Sequence, residues 1–290
     1  MDQRIYNKYV TEVLTNGSLT NAAHALGISQ PALSNGITSL EKELGFKIFN
    51  RRTIPVSLTP EGELYYDYIK RQQILEQDFI ERIEQFHSQK NQHVIIGTPS
   101  AYVDTIIADA VYNLLNNNLS YSAIIKEAPL DVLINLASQR EIHCFLSTSE
   151  NIPENFEKQL IYYENLCLGI PKDMFSSEHN LTSSDFHSKD FIYLEDWQPL
   201  QLEMNKYFEQ YHITPKKKIK VSQVATAISL AQKGLGICFA SEASLKNADL
   251  RVYPLPIKPR PIYIAYDKEL FMPKAGIELI KILSNYGGLQ

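Results

Sequence analysis

Two groups of side chains hold most of the chemical potential of this sequence. The first is Gln30, Ser34, Asn35 and Thr38, polar residues that share one side of a helical stretch with Pro31 in its first turn. Glutamine and asparagine both donate and accept, which matches base edges in a major groove, and serine and threonine suit bases or phosphates. Arg51 and Arg52 follow between two short apolar runs, where paired guanidinium groups at a hairpin tip suit phosphate or a minor groove. A solvated helix face and a solubilising turn are the plain alternatives. The second group is Thr98, Ser100, Ala101 and Tyr102, directly after an apolar run, with Ser147, Thr148 and Gln223 after later ones. Ser100 capping a helix would leave N–H groups for a carboxylate or phosphate, so a small anionic metabolite is the expected ligand. Ordinary capping and turn formation compete with that role.

These side chains need elements to hold them. Ile5, Tyr9, Val10 and Val13 recur at helical spacing and predict a first helix ending near Asn16-Gly17. Ser18 caps a short second helix over 19–26, Gly27-Ile28 makes a tight turn, and Ser29 caps a third helix. Along that third helix Leu33, Ile37, Leu40 and Leu44 form a buried stripe on a different side from the polar set. Residues 46–59 read as a short β-hairpin. Thr59-Pro60-Glu61 then opens a long helix running to about His87, with a cap, a helix-start proline and early acids. Its apolar seam is Leu64, Tyr68, Leu75, Phe79, Ile83 and Phe86. A seam of that length needs cover, from a second copy of the chain or from the chain's own C-terminal part. Ser88 to Gln92 is a polar linker.

From residue 93 the rhythm changes. Strands are expected at 93–97, 121–125, 142–146, 166–170, 191–194, 219–221, 236–239 and 261–266, with helices at about 102–116 and 130–138. Strands alternating with helices predict α/β layers with largely parallel sheets.

Charge and composition narrow the function. The chain is acidic, with 28 Lys+Arg against 33 Asp+Glu, yet residues 1–60 hold six basic and four acidic side chains. Only that segment suits a phosphate backbone. No GxSxG, P-loop, HExxH or strand-linked GxGxxG pattern occurs, so no enzyme is expected. The histidines are dispersed and the three cysteines, Cys144, Cys167 and Cys238, form no pair, so neither a metal nor another cofactor is expected. A thiol- or peroxide-sensing regulator is the alternative, but these cysteines sit in or near apolar runs and read as small buried hydrophobes. No apolar run is long enough to span a membrane, and the N-terminal residues carry no export signal, so a cytoplasmic location is expected. A transport-type binding protein fits poorly for the same reason.

Asn16-Gly17-Ser18-Leu19-Thr20-Asn21-Ala22-Ala23 through Leu26, then Ser29-Gln30-Pro31-Ala32-Leu33-Ser34, closely resemble the LysR-type transcriptional regulators. So do Leu40-Glu41, Leu44-Gly45, Ile48-Phe49-x-Arg51 and Leu58-Thr59-Pro60-Glu61-Gly62. The resemblance is dense over the first quarter and continues in outline through Ile95-Ile96-Gly97 and Gly234-Leu235-Gly236-Ile237. It implies a winged helix-turn-helix DNA-binding domain over 1–60 and a linker and dimerisation helix with hinge over 61–90. It also implies an effector-binding domain over 91–290, similar to periplasmic binding proteins. Its two α/β subdomains would be 91–161 plus 267–290, and 162–266, with the effector in the cleft. The expected partners are promoter DNA, a small-molecule effector, further copies of the chain in a homodimer or homotetramer, and RNA polymerase. Residues at Gln30, Pro31, Ser34 and Asn35 would face the major groove, and Arg51 and Arg52 would belong to the wing. Two departures stand out, Asn35 where arginine or another large polar group is common and Gly36 where glutamine is frequent. A glycine inside a helix costs about 1 kcal/mol relative to alanine. A third is Glu141-Ile142-His143, where the family often has Leu-Asp.

Overall fold

The computed structural model describes residues 3–50, 53, 55–87, 92–176 and 180–286. Arg51 and Arg52, and linker residues 88–91, lie outside the described residues. The chain divides into two compact units, residues 1–80 and 81–290.

The first unit runs α1 (Gln3–Asn16), α2 (Leu19–Leu26), α3 (Gln30–Leu44), β1 (Phe49–Asn50), β2 (Ser57–Leu58) and most of α4 (Pro60–His87). The caps form as expected. Ser18 Oγ accepts from the N–H of Asn21 at 3.1 Å, and Ser29 Oγ accepts from that of Ala32 at 3.3 Å. Gly27 ends α2 at φ 69°, a left-handed conformation in which a side chain would be strained. Leu33, Ile37 and Leu40 are buried, whereas Leu44 is half-buried. In α1 the buried positions are Tyr6, Asn7, Val10 and Val13. Ile5 is exposed, because each helical residue turns the face by about 100° and the buried stripe is centred one position later.

Hydrogen bonds fix the base of the hairpin. β1 and β2 pair antiparallel, and Thr59 donates its N–H to the carbonyl of Ile48 at 2.9 Å. Thr59 Oγ1 also caps α4, accepting from the N–H of Gly62 at 2.9 Å. Tyr65 and Ile69 turn into the first unit's core. Of the predicted seam, Leu64, Tyr68, Leu75, Phe79 and Ile83 are exposed, and the side chain of Phe86 lies outside the described residues.

The second unit contains, in chain order, β3 (Gln92–Thr98), α5 (Ala108–Asn117), β4 (Tyr121–Glu127), α6 (Leu130–Ser138), β5 (Cys144–Ser147), β6 (Phe156–Glu164) and β7 (Leu166–Ile170). Then come β8 (Asp190–Tyr193), α7 (Pro199–Gln210), β9 (Lys216–Lys220), α8 (Val224–Gln232) and β10 (Cys238–Ser241). The chain closes with α9 (Glu242–Leu245), β11 (Arg251–Pro254), β12 (Arg260–Asp267) and α10 (Lys274–Ser284). One sheet has the order β4-β3-β5-β12-β6, a second β10-β7-β11, and β8 pairs with β9. Residue 165 alone separates β6 from β7, and residues 255–259 lead from β11 back to β12. The chain therefore passes between the two sheets at two adjacent crossings.

The expectation of largely parallel sheets is corrected. β3 pairs parallel with β4 and β5, but β12 runs antiparallel to both β5 and β6, and β7 antiparallel to β10 and β11. A strand that returns from one sheet to the other lies against its outgoing neighbour in the opposite direction. β6 and β11 were not expected, because β6 exposes four successive residues, 157–160, and so lacks a clean alternation.

Where α4 enters the second unit, Glu81 accepts from buried Arg140 Nη2 at 2.7 Å. Arg140 Nη2 also donates to the carbonyl of Phe271, and the Arg82 guanidinium lies 5.6 Å from the Phe271 ring centre. The N–H of Ile95 donates to His143 Nδ1 at 2.8 Å, which leaves the proton on Nε2, 3.7 Å from Glu81. Burial lowers the His143 pKa; the Glu81 hydrogen bond opposes this, while Arg140 and His93 also lower it. A histidine whose folded pKa is depressed contributes stability that is complete above its unfolded pKa of about 6.5 and is lost as pH falls toward the folded value. Melting curves between about pH 7.5 and pH 5 should therefore show an acid-side loss that His143→Gln, which keeps an acceptor but cannot titrate there, reduces. An unchanged pH slope in the variant would refute the assignment.

Candidate functional site

The polar side of α3 faces solvent. Gln30, Pro31, Asn35 and Thr38 are exposed and Ser34 is half-buried. Thr38 Oγ1 donates to the carbonyl of Ser34 at 2.8 Å, a common arrangement for a helical threonine. The opposite side fills the core, so the helix presents hydrogen-bonding groups on a rigid support. Gly36 has a packing reason. A Cβ there would lie 2.8 Å from the Tyr9 ring, so α1 approaches α3 more closely than any side chain at this position permits. The propensity cost of this glycine is offset by that close packing.

Glu41 was part of the sequence pattern without an assigned task. Its carboxylate is buried and accepts from the N–H of Ile48 at 3.0 Å and of Phe49 at 3.4 Å, and from Lys47 Nζ at 2.8 Å. It fastens the end of α3 to the start of the hairpin. Only sequence context could have hinted at this, since an isolated Glu on a helix usually faces water.

In the second unit, Ser100, Ala101, Tyr102, Ser147 and Thr148 come together around a cavity of about 720 Å³. That lies within the usual range for small-molecule sites. Thr98 does not reach it. Its side chain is buried and donates to the carbonyl of Pro99 at 3.0 Å. Gln223 lines a neighbouring cavity of about 410 Å³, to which Ser100 and Ala101 also contribute. The expected helix over 102–116 opens instead with a three-residue 3-10 turn at Ser100–Tyr102 and a π-helical turn at Val103–Ile107. Pro99 occupies the cap position and no side chain caps the turn, so Ser100 does not cap a helix. The regular α-helix begins only at Ala108, after these two turns.

Sequence reasoning missed several residues of the cavity. Glu127 at the end of β4, Asp131 in the first turn of α6, Trp197 before α7, and Arg260 at the second crossing all line it. Trp197 and Arg260 lie far in sequence from Glu127 and Asp131, and no local pattern marks the four together. Arg260 Nη2 donates to the hydroxyl of buried Tyr102 at 2.7 Å, and Nε donates to Glu164, whose side chain is 2% exposed. Tyr102 in turn donates to Glu164 at 3.3 Å. Glu164 and Arg260 are also register partners on β6 and β12, so this ion pair ties the two crossings together.

Cys144, Cys167 and Cys238 are buried and unbonded to one another. Burial pushes their thiols up, to about 12, about 11 and about 12 respectively. A thiolate is the reactive form, and burial disfavours it at all three positions. The folded chain should react with a thiol-specific reagent over hours and react promptly once unfolded. Rapid labelling of a single cysteine in the native chain would contradict this.

A capped helix-turn-helix with an outward polar face, a hairpin at its side and a second unit built round a small-molecule cavity define a ligand-responsive DNA-binding regulator. Residues 7–63 match the family described as "Bacterial regulatory helix-turn-helix protein, lysR family", and residues 87–286 match "LysR substrate binding domain". The chain belongs to the LysR family of transcriptional regulators. It is 25% identical over 237 residues to the HTH-type transcriptional regulator YybE of Bacillus subtilis (strain 168), covering 80% of this chain and 79% of that protein. Full-length CbnR solved with its target DNA has a TM-score of 0.68 at 17% identity, covering 99% of this chain and all (100%) of that one. A variant of full-length OxyR from Pseudomonas aeruginosa has a TM-score of 0.63 at 17% identity, covering 96% of each chain. At these identities the two structures speak to the fold. Among the described residues, no helix is long and apolar enough to cross a membrane.

Proposed function

We propose that two copies of this chain associate through the seam of α4 and place their α3 helices in successive major grooves of promoter DNA. Gln30, Ser34 and Asn35 read base edges, and the Arg51-Arg52 wing contacts the backbone or minor groove beside them. A small molecule in the 720 Å³ cavity shifts the balance between arrangements of the second unit and thereby changes promoter binding. The observation that carries this reading is the split of α3 into a buried aliphatic side and an exposed polar side. The exposed seam of Leu64, Tyr68, Leu75, Phe79 and Ile83 supports the dimer, since a contiguous apolar row on a long helix requires a partner surface. Buried thiols favour a ligand over an oxidant as the signal.

The test is selection of bound duplexes from a random-sequence pool by the full chain. An inverted repeat with half-sites about one helical turn or a multiple apart is the expected product. Its affinity should fall steeply with salt as counterions are released. Recovery of no preferred sequence, or a salt-insensitive complex, would overturn the reading.

A further inference from the structure

We propose that the effector cavity takes an amphipathic ligand bearing an ammonium group, its apolar body against Trp197, Leu130 and Ile134 and its cation toward Glu127 and Asp131. This rests on the reading of the cavity as the effector site, and it replaces the expectation of an anionic metabolite. That expectation rested on Ser100 capping a helix after β3, where Pro99 holds the cap position and no side chain caps the turn.

The charges around the cavity decide the sign. Three side chains of full charge line it: Glu127, Asp131 and Arg260. The positive charge of Arg260 is already neutralised by Glu164 directly beside it, and its Nη2 is held by the Tyr102 hydroxyl. In the adjoining groove, Lys206 is paired with Glu203 at 2.7 Å, and Glu209 adds a further carboxylate. The charge left to meet a ligand is therefore negative. An anion entering would meet the two carboxylates and an Arg260 whose charge Glu164 already balances. An ammonium group instead meets two carboxylates, both on exposed residues at the rim of the cavity. Asp131 stands in the first turn of α6.

The walls specify the rest of the ligand. Trp197 is 58% exposed, unusual for so large an aromatic ring, and it lines the cavity. An indole face attracts both methylene groups and organic cations. Pro129, Leu130, Ile134, Pro199 and Leu200 complete a largely apolar surface. Among the described residues no group of three His, Cys, Asp or Glu side chains is arranged to hold a metal ion. A volume of about 720 Å³ likewise suits an organic cation with a hydrocarbon body better than a bare ion.

Trp197 is the one tryptophan of the sequence, so its fluorescence in the full chain reports on this cavity directly. The probes are 2-phenylethylamine, 2-phenylethanol and phenylacetate, which share an aromatic body and differ in charge. The amine should bind at least tenfold more tightly than phenylacetate, with the alcohol between them. The Glu127→Gln/Asp131→Asn double variant should weaken the amine at least tenfold and bring the three probes within about threefold of each other. Tighter binding of phenylacetate, or an amine affinity unchanged in the double variant, would overturn the ammonium assignment and leave the effector reading standing. Failure of all three probes to alter the fluorescence or raise the melting temperature would count against both.

Discussion

Replacing Arg260 with methionine should lower the stability of the second unit by about 3–5 kcal/mol, the usual result of stranding one member of a buried ion pair. Glu164 would remain 2% exposed with no cation against it, and Tyr102 supplies a single neutral hydrogen bond. For a unit of this size each kcal/mol moves the melting temperature by about 2–4 °C, so a fall of roughly 6–20 °C is expected. The double variant Glu164→Met/Arg260→Met should recover most of that loss, because two apolar side chains of similar volume escape the cost of dehydrating two charges. Trp197 fluorescence follows unfolding of this unit. If Arg260→Met melts with the wild type, the pair is not what joins the crossings. Failure of the double variant to recover would show instead that its hydrogen-bond geometry is needed for folding.

The second large effect concerns DNA. With a sequence selected as above, Gln30→Ala and Asn35→Ala should each weaken binding by about 1–3 kcal/mol, or roughly 5- to 150-fold, and relax the preference at the base each one reads. Both side chains are exposed, and surface substitutions of this kind change stability by about 0.5 kcal/mol or less. The contrast is Ile37→Ala, on the other side of the same helix and fully buried. It should cost about 2–5 kcal/mol of stability by opening a cavity. Binding assays and melting curves on the three variants separate the two faces. Normal DNA affinity in the Gln30 and Asn35 variants would remove α3 as the reading element.

Local order was legible because it is written in neighbouring residues. Ser18, Ser29 and Thr59 cap the helices they precede, and Gly27 takes the left-handed turn its position demanded. Misjudgements arose where the deciding contact is remote. Gly36 reads as a weakness in a helix until the Tyr9 ring is seen against it. β6 escaped detection because its exposed middle breaks the alternation that marks a half-buried strand. Glu141-Ile142-His143 was a mere departure from pattern; in the fold His143 meets Glu81 of α4.

By itself the sequence determined the family, the order of elements in the first unit and the two-sidedness of α3, since helix periods, caps and turn residues act over a few positions. It also showed an apolar seam on α4 that needs cover. Tertiary structure alone decided the chemistry of the cavity. Glu127, Asp131, Trp197 and Arg260 come from β4, α6, the turn before α7 and β12, and Glu164 cancels the charge of Arg260 from across 96 residues of chain. Electrostatic sign in a cavity depends on which charges end up adjacent in three dimensions, a property that no local spacing encodes.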